Sequence, residues 1–174
     1  LVILSAFQLH NVRLLLLSKI GKPYDPQTGD GVVGRNYAYQ MTGGIKLFYD
    51  NDNWFNPFAA TGATSTVIDD FNAENFDHSK VGFVGGATIS AAFSGGRPIQ
   101  QMGIPKDAPR WGSGWKQAIK DNYLHNMNVG SSGSVMPYKQ CYLDLDPTYR
   151  DIYGQPLLRM TFDWQQNELK MTNF

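Results

Sequence analysis

The sequence predicts an α+β fold: a mostly antiparallel sheet with long loops and few helices, attached to the edge of an α/β unit. Three observations carry this. Strand-like segments outnumber helical ones and follow one another with few crossover helices, the pattern of antiparallel pairing. The 174 residues include 18 Gly, 9 Pro, 10 Phe, 9 Tyr and 4 Trp, a mix that suits strands and ordered loops better than a helix bundle. The chain also opens on an apolar run followed by a helical stripe, which reads as strand–turn–helix, the last unit of an α/β domain.

Taken in order, residues 1–5 (LVILS) read as a strand buried on both faces, because the apolar run is uninterrupted. Residues 7–18 read as a helix with Leu9, Val12 and Leu16 turned inward, stopped by Gly21 and Pro23. A loop rich in Gly, Pro and Asp follows to residue 36. Short strands are expected at 45–49 and 64–70. Residues 80–93 form the clearest long strand, with Val81, Phe83, Ala87, Ile89 and Phe93 sharing a face at period two. Its Gly82, Gly85 and Gly86 signal a bulge or a close approach. A long loop at 95–114 leads to a helix at 115–126, with Trp115, Ala118, Ile119 and Tyr123 on one side. One or two strands are expected within 133–147. Residues 156–164 alternate Leu158, Met160, Phe162 and Trp164 against Leu157, Arg159, Thr161 and Asp163. A helix begins in the last ten residues.

Composition narrows the classes. Hydrophobic residues make up 42% and charged residues 17%, which is globular rather than disordered. Fifteen basic residues balance fifteen acidic ones, so no charge excess points to nucleic acid. Cys141 is the only cysteine, which excludes an internal disulfide and a cysteine-ligated metal; it reads as a small buried hydrophobe. No apolar run is long enough to span a membrane. A start without Met, inside an apolar run, is expected of a piece of a longer chain.

Gly29, Gly31 and Gly34 spell G-x-G-x-x-G, the dinucleotide fingerprint. That motif must follow a strand and open a helix, whose N-terminus then receives the pyrophosphate. Here a turn-rich loop precedes it, no helical stripe follows, and Asp30 would set a carboxylate beside the phosphates. They read as turn glycines. Asp70, Asn72 and Glu74 match the first positions of a calcium loop, but Asn75 and Val81 stand where a glycine and a bidentate acid are needed. This is a solvated loop whose Phe71, Phe76 and His78 could rim a binding site. His10, His78 and His125 show no metal spacing. His10 and His125 fall on predicted helices as structural or surface residues; His78 could serve as a general base. GSSGS at 130–134 reads as a flexible turn. Trp111 and Trp115 either stack on a sugar or anchor a loop. The residues themselves thus suggest an aromatic-rich, carbohydrate-sized site and name no reaction.

A longer pattern adds one. The opening strand Val2–Leu4, the small turn Ser5-Ala6, the helix with Leu14–Leu17, Ser18–Gly21 and then Val33–Asn36 resemble the second signature region of the glucose–methanol–choline (GMC) flavin oxidoreductases. IDDFNAENFDHSKVGFVGG, APRWGSGWK and DPTYRDIYGQPLLRMTFDW are similar to the branch holding the gluconate 2-dehydrogenase and sugar dehydrogenase flavoproteins. Two departures stand out: Ser5-Ala6-Phe7 replaces a small-Gly-small turn, and His10-Asn11 replaces Ser-Pro. The resemblance implies that residues 1–36 are the C-terminal part of an FAD-binding domain, 37–165 a substrate-binding domain, and 166–174 the start of a helix. It implies FAD as cofactor, with Ser5 and Ala6 as flavin contacts. A sugar or sugar acid would meet Tyr37, Tyr39, Gln40, Asn72, His78 and Trp111. It places the catalytic histidine outside this chain, so that the chain alone is expected to be inactive. It further implies a cytochrome c subunit and a small subunit as partners, at the periplasmic face of a bacterial inner membrane. The contrasting expectation is a stand-alone carbohydrate-binding or non-catalytic interaction module.

Overall fold

The computed structural model describes residues 3–50, 52–56, 65–93 and 103–174. The elements run α1 (Gln8–Leu17), β1 (Met41–Phe48), β2 (Ser65–Ile68), a 3-10 turn at Ala73–Asn75, β3 (Ala87–Phe93), α2 (Gly112–Asn122), β4 (Asn126–Gly133), β5 (Tyr142–Arg150), β6 (Pro156–Thr161) and α3 (Gln166–Asn173). Every pairing between these strands is antiparallel. The chain is α+β, as its sequence predicts. It divides into two compact units: Leu1–Tyr39 with Val135–Gln166, and Gln40–Ser134 with Asn167–Phe174.

In the first unit α1 lies on the β5–β6 hairpin. Its apolar stripe turns Leu16 inward, and Arg13 ties the helix down, donating to the Pro156 carbonyl at 3.0 Å and pairing with Asp151 at 2.7 Å. The fingerprint glycines are turn glycines. Gly34 has φ +91°, and a Cβ there would fall on the Leu143 carbonyl; a Cβ on Gly31, at φ +82°, would fall on that of Pro23. Gly34 instead accepts the Leu143 amide at 2.8 Å, so the loop is laced to the hairpin and no helix opens after it. Cys141 and Leu143 are buried there, and the Cys141 thiol faces the Asp163 carbonyl. Of the expected opening strand, residues 1–2 lie outside the described residues; residues 3–5 carry no ladder, and Ile3 and Leu4 are exposed. An apolar run becomes a strand only beside a neighbour that takes its hydrogen bonds, and no described strand pairs with it.

The second unit is a four-stranded sheet in the order β1-β4-β3-β2. Its inner strand β4, NMNVGSSG, contains most of the segment that reads in sequence as a flexible turn. Gly and Ser have little strand preference of their own, so flanking by β1 over all of β4 and by β3 from Met127 to Gly133 decides the matter. The long strand expected at 80–93 is likewise shorter. Gly82 and Gly85 adopt φ +71° and +86°, left-handed backbone that ends a ladder, and β3 starts at Ala87. The expected close approach is real: a Cβ on Gly86 would strike the backbone of residues 71–73. Helix α2 has Trp115, Ala118, Ile119 and Tyr123 on its half-buried side, and it ends before His125.

Candidate functional site

Strand alternation and the ladder register give the four-stranded sheet two unlike faces. One face carries Met41, Gly43 and Ile45 of β1, Gly133, Ser131 and Val129 of β4, and Ala87, Ile89 and Ala91 of β3. Helix α3 lies over part of it. A Cβ on Gly133 would collide with Met171 Cε, and one on Gly43 would come within 3.3 Å of the Thr172 methyl. Beside α3 is a pocket of about 190 Å³ lined by Phe71, Phe83, Ala87, Ile89, Ser131, Met171, Thr172 and Phe174. Aromatic rings form its rim. Phe76 stacks on Phe174 with centroids 5.7 Å apart, and His78 lies 4.1 Å from Phe76. The His78 Nε2–H donates to the Gly85 carbonyl. A carbonyl only accepts, so a neutral ring keeps its lone pair on Nδ1.

The opposite face is polar. Its register rows are Thr42–Ser132–Thr88, then Gly44–Gly130–Ser90, then Lys46–Asn128–Ala92. Lys46 donates to the Asn126 side-chain carbonyl at 3.5 Å. Asn126, 2% exposed, donates in turn to the Asn122 and Tyr123 carbonyls at the C-terminus of α2, at 2.6 and 3.0 Å. Gly103 lies against the Lys46 stem. Burial holds the Lys46 ammonium below its usual pKa.

The expected substrate residues divide between these surroundings. Gln40 donates to the Ser132 hydroxyl on the polar face. Asn72 donates to Asp69 at 2.9 Å, and the same carboxylate oxygen takes the Thr88 hydroxyl of that face at 3.1 Å. His78 belongs to the aromatic rim of the other face. Trp111 stands at the start of α2, 85% exposed, with no ring partner among the described residues. In the first unit, Tyr39 is exposed, while Tyr37 is buried edge-on to Phe162 at 5.7 Å, and burial raises its phenol pKa. Ser5 and Ala6 lie in the exposed turn before α1, where Ala6 N–H donates to Asn11 Oδ1 at 2.9 Å. Helix α1 starts with no side-chain cap, leaving first-turn amides open. A recess of about 370 Å³ runs along α1, bounded by Gln8, Val12, Leu15, residues 32–37 and Leu143. Asn36 Oδ1 is buried there without a hydrogen-bond partner among the described residues.

Sequence reasoning missed Lys46, Asn126 and Asn128. Their signal was available only through β4: with that strand unrecognised, nothing placed the two asparagines beside the lysine.

No protein-family model matches the chain, and no solved structure matches it. The chain is 51% identical over 174 residues to the gluconate 2-dehydrogenase flavoprotein of Pantoea cypripedii, covering 100% of this chain and 28% of that protein. The resemblance drawn from the sequence holds along the whole chain. A second relative, the 2-methyl-1,2-propanediol dehydrogenase of Mycolicibacterium austroafricanum, is 24% identical over 179 residues, covering 100% of this chain and 31% of that protein. The chain thus spans less than a third of either relative. Among the described residues no helix is long and apolar enough to cross a membrane.

Proposed function

We propose that this chain is the central part of an FAD-dependent dehydrogenase that takes hydride from a CH–OH carbon of a sugar or sugar acid. The observation that carries the reading is the 51% identity, over every residue, to a gluconate 2-dehydrogenase flavoprotein. In this reading residues 1–36 complete the FAD-binding domain, 37–165 bind substrate, and 166–174 begin a helix. Ser5 and Ala6 meet the flavin. The first unit suits that role: both residues are small and exposed, and the uncapped N-terminus of α1 offers amides to an electron-rich group. Bound FAD supplies the hydride acceptor, chemistry that no amino-acid side chain provides.

Substrate hydroxyls need hydrogen-bonding side chains, and apolar sugar faces need rings. Gln40 and Asn72 supply amides, Tyr37 and Tyr39 phenols, His78 an imidazole and Trp111 an indole. No catalytic base is assigned within the chain, so it is inactive alone. A cytochrome c subunit and a small subunit, at the periplasmic face of a bacterial inner membrane, would carry the electrons onward.

The test uses the full-length protein with FAD, mixed without oxygen with gluconate, glucose or sorbitol, while the absorbance of oxidised flavin is followed. Bleaching by at least one donor is expected. An unchanged spectrum with all three overturns the reading. The exposure of Trp111 favours a second reading, a carbohydrate-binding module, which predicts binding heat with these sugars and no change in flavin colour.

A further inference from the structure

On the polar face the ladder register lines up a row of hydroxyls that ends at a carboxylate. Thr42 of β1 stands opposite Ser132 of β4, and Ser132 opposite Thr88 of β3. Ile68 of β2 pairs with Ile89, so Asp69, the next residue, arrives level with Thr88. The Thr88 hydroxyl reaches it, donating to Asp69 Oδ1 at 3.1 Å. Neighbours in such a row are about 4.8 Å apart. The next row, Gly44–Gly130–Ser90, is bare backbone except for Ser90, so the floor beside the hydroxyls is open.

The row has a direction. Asp69 Oδ1 takes two neutral donors, the Thr88 hydroxyl and the Asn72 amide at 2.9 Å. Asp69 is exposed, and its Oδ2 has no hydrogen-bond partner and no ion pair among the described residues. Having given its proton to Asp69, the Thr88 hydroxyl can only accept from a ligand. Ser132 is the reverse: Gln40 donates to it, and its own O–H remains to donate. Acceptors and a negative charge therefore stand at the β2 end, with a donor next to them. The hydroxyl-bearing end of a polyol fits this order, giving one O–H to Asp69 Oδ2 and a second to Thr88 while accepting from Ser132. The bond to the carboxylate is charge-assisted and is the strongest of the three. A ligand carboxylate does not fit: it has no proton to give and would set a like charge beside Asp69.

We infer that Asp69 is a specificity-determining residue: it accepts from the hydroxyl end of a sugar or sugar acid, with Thr88 and Ser132 holding the neighbouring hydroxyls, and it turns a ligand carboxylate away. A sugar acid then lies with its carboxylate directed away from β2. The inference deepens the dehydrogenase reading above and rests on it only for the reaction that follows binding; recognition itself needs no flavin.

The experiment measures calorimetric binding of three ligands to the full-length protein: sorbitol, with no carboxylate, D-gluconate, with one, and D-glucarate, with one at each end. The parent is expected to bind glucarate about tenfold or more weakly than gluconate, because either end of glucarate brings a carboxylate to Asp69. In Asp69→Asn the amide oxygen still takes Thr88 and Asn72, and the NH2 turns to the ligand. Sorbitol should weaken about tenfold, the loss of one charge-assisted hydrogen bond, and the preference for gluconate over glucarate should disappear. A purely structural role would lower all three ligands alike and leave the preference standing. Ser132→Ala should weaken sorbitol and gluconate by about 2- to 10-fold and keep the preference. Thermal melting confirms that each variant is folded. A preference absent from the parent or unchanged in Asp69→Asn overturns the inference, as does undiminished sorbitol binding in both variants. These outcomes leave the dehydrogenase reading to be judged separately by flavin bleaching. If no donor bleaches the flavin while Asp69→Asn still abolishes the preference, the site stands and the reaction falls.

Discussion

The two faces of the four-stranded sheet are built from the same strands and could hardly differ more. On β1, Met41, Gly43 and Ile45 point one way and Thr42, Gly44 and Lys46 the other. The first set is partly roofed by α3, with Met171 and Thr172 seated on glycines. The second set lies beside the C-terminus of α2, whose Asn122 and Tyr123 carbonyls accept from Asn126. The comparison teaches that alternation alone separates an apolar surface from a polar one. Apolar side chains on one side bury area, while polar ones on the other remain available because nothing apolar competes for them.

The largest expected effect breaks the covered face. Phe83 is buried against Phe76, His78 and Phe174. Phe83→Ala should cost about 3–5 kcal/mol of stability by urea denaturation, from lost transfer energy plus a cavity. If the faces are separable, gluconate binding under native conditions stays within a factor of about two, the error expected of uncoupled sites.

A smaller effect tests the polar face through pH. Burial lowers the Lys46 pKa in the folded state, so between that value and the ordinary lysine value near 10.5 the unfolded chain binds more protons. Stability therefore rises as pH increases through that window. The Lys46→Met variant should lack this rise. Parallel stability–pH curves for the two proteins would show that Lys46 makes no such contribution. The smallest effect is expected at Trp111, which is 85% exposed: Trp111→Ala should change stability by less than about 0.5 kcal/mol. A drop in sugar affinity in that variant would assign Trp111 to recognition rather than anchoring.

Much of the fold was legible because its signals are local. The stripe of α1, the alternation of β6, the half-buried side of α2 and the weak G-x-G-x-x-G context each depend on neighbours a few residues away. The candidate site was less so. Gln40 and Asn72 could be singled out as polar residues in suggestive company, yet the links from Gln40 to Ser132, and from Thr88 to the Asp69 carboxylate that holds Asn72, cross from one segment to another. Lys46 attracted no notice in GGIKLFY, since a lysine in an alternating strand is ordinarily a solvated side chain.

The sequence by itself determined the fold class, the turn role of Gly31 and Gly34, and the kinship with a gluconate 2-dehydrogenase flavoprotein, because composition, short-range periodicity and long matching phrases are all written along the chain. The tertiary structure alone decided that NMNVGSSG is an inner strand, that β3 starts only at Ala87, and that the apolar opening has no partner strand among the described residues. Each of these depends on which backbone groups find a hydrogen-bonding neighbour, and for β4 those neighbours lie about 40 or 80 residues away, on β3 and β1, beyond the reach of local propensity.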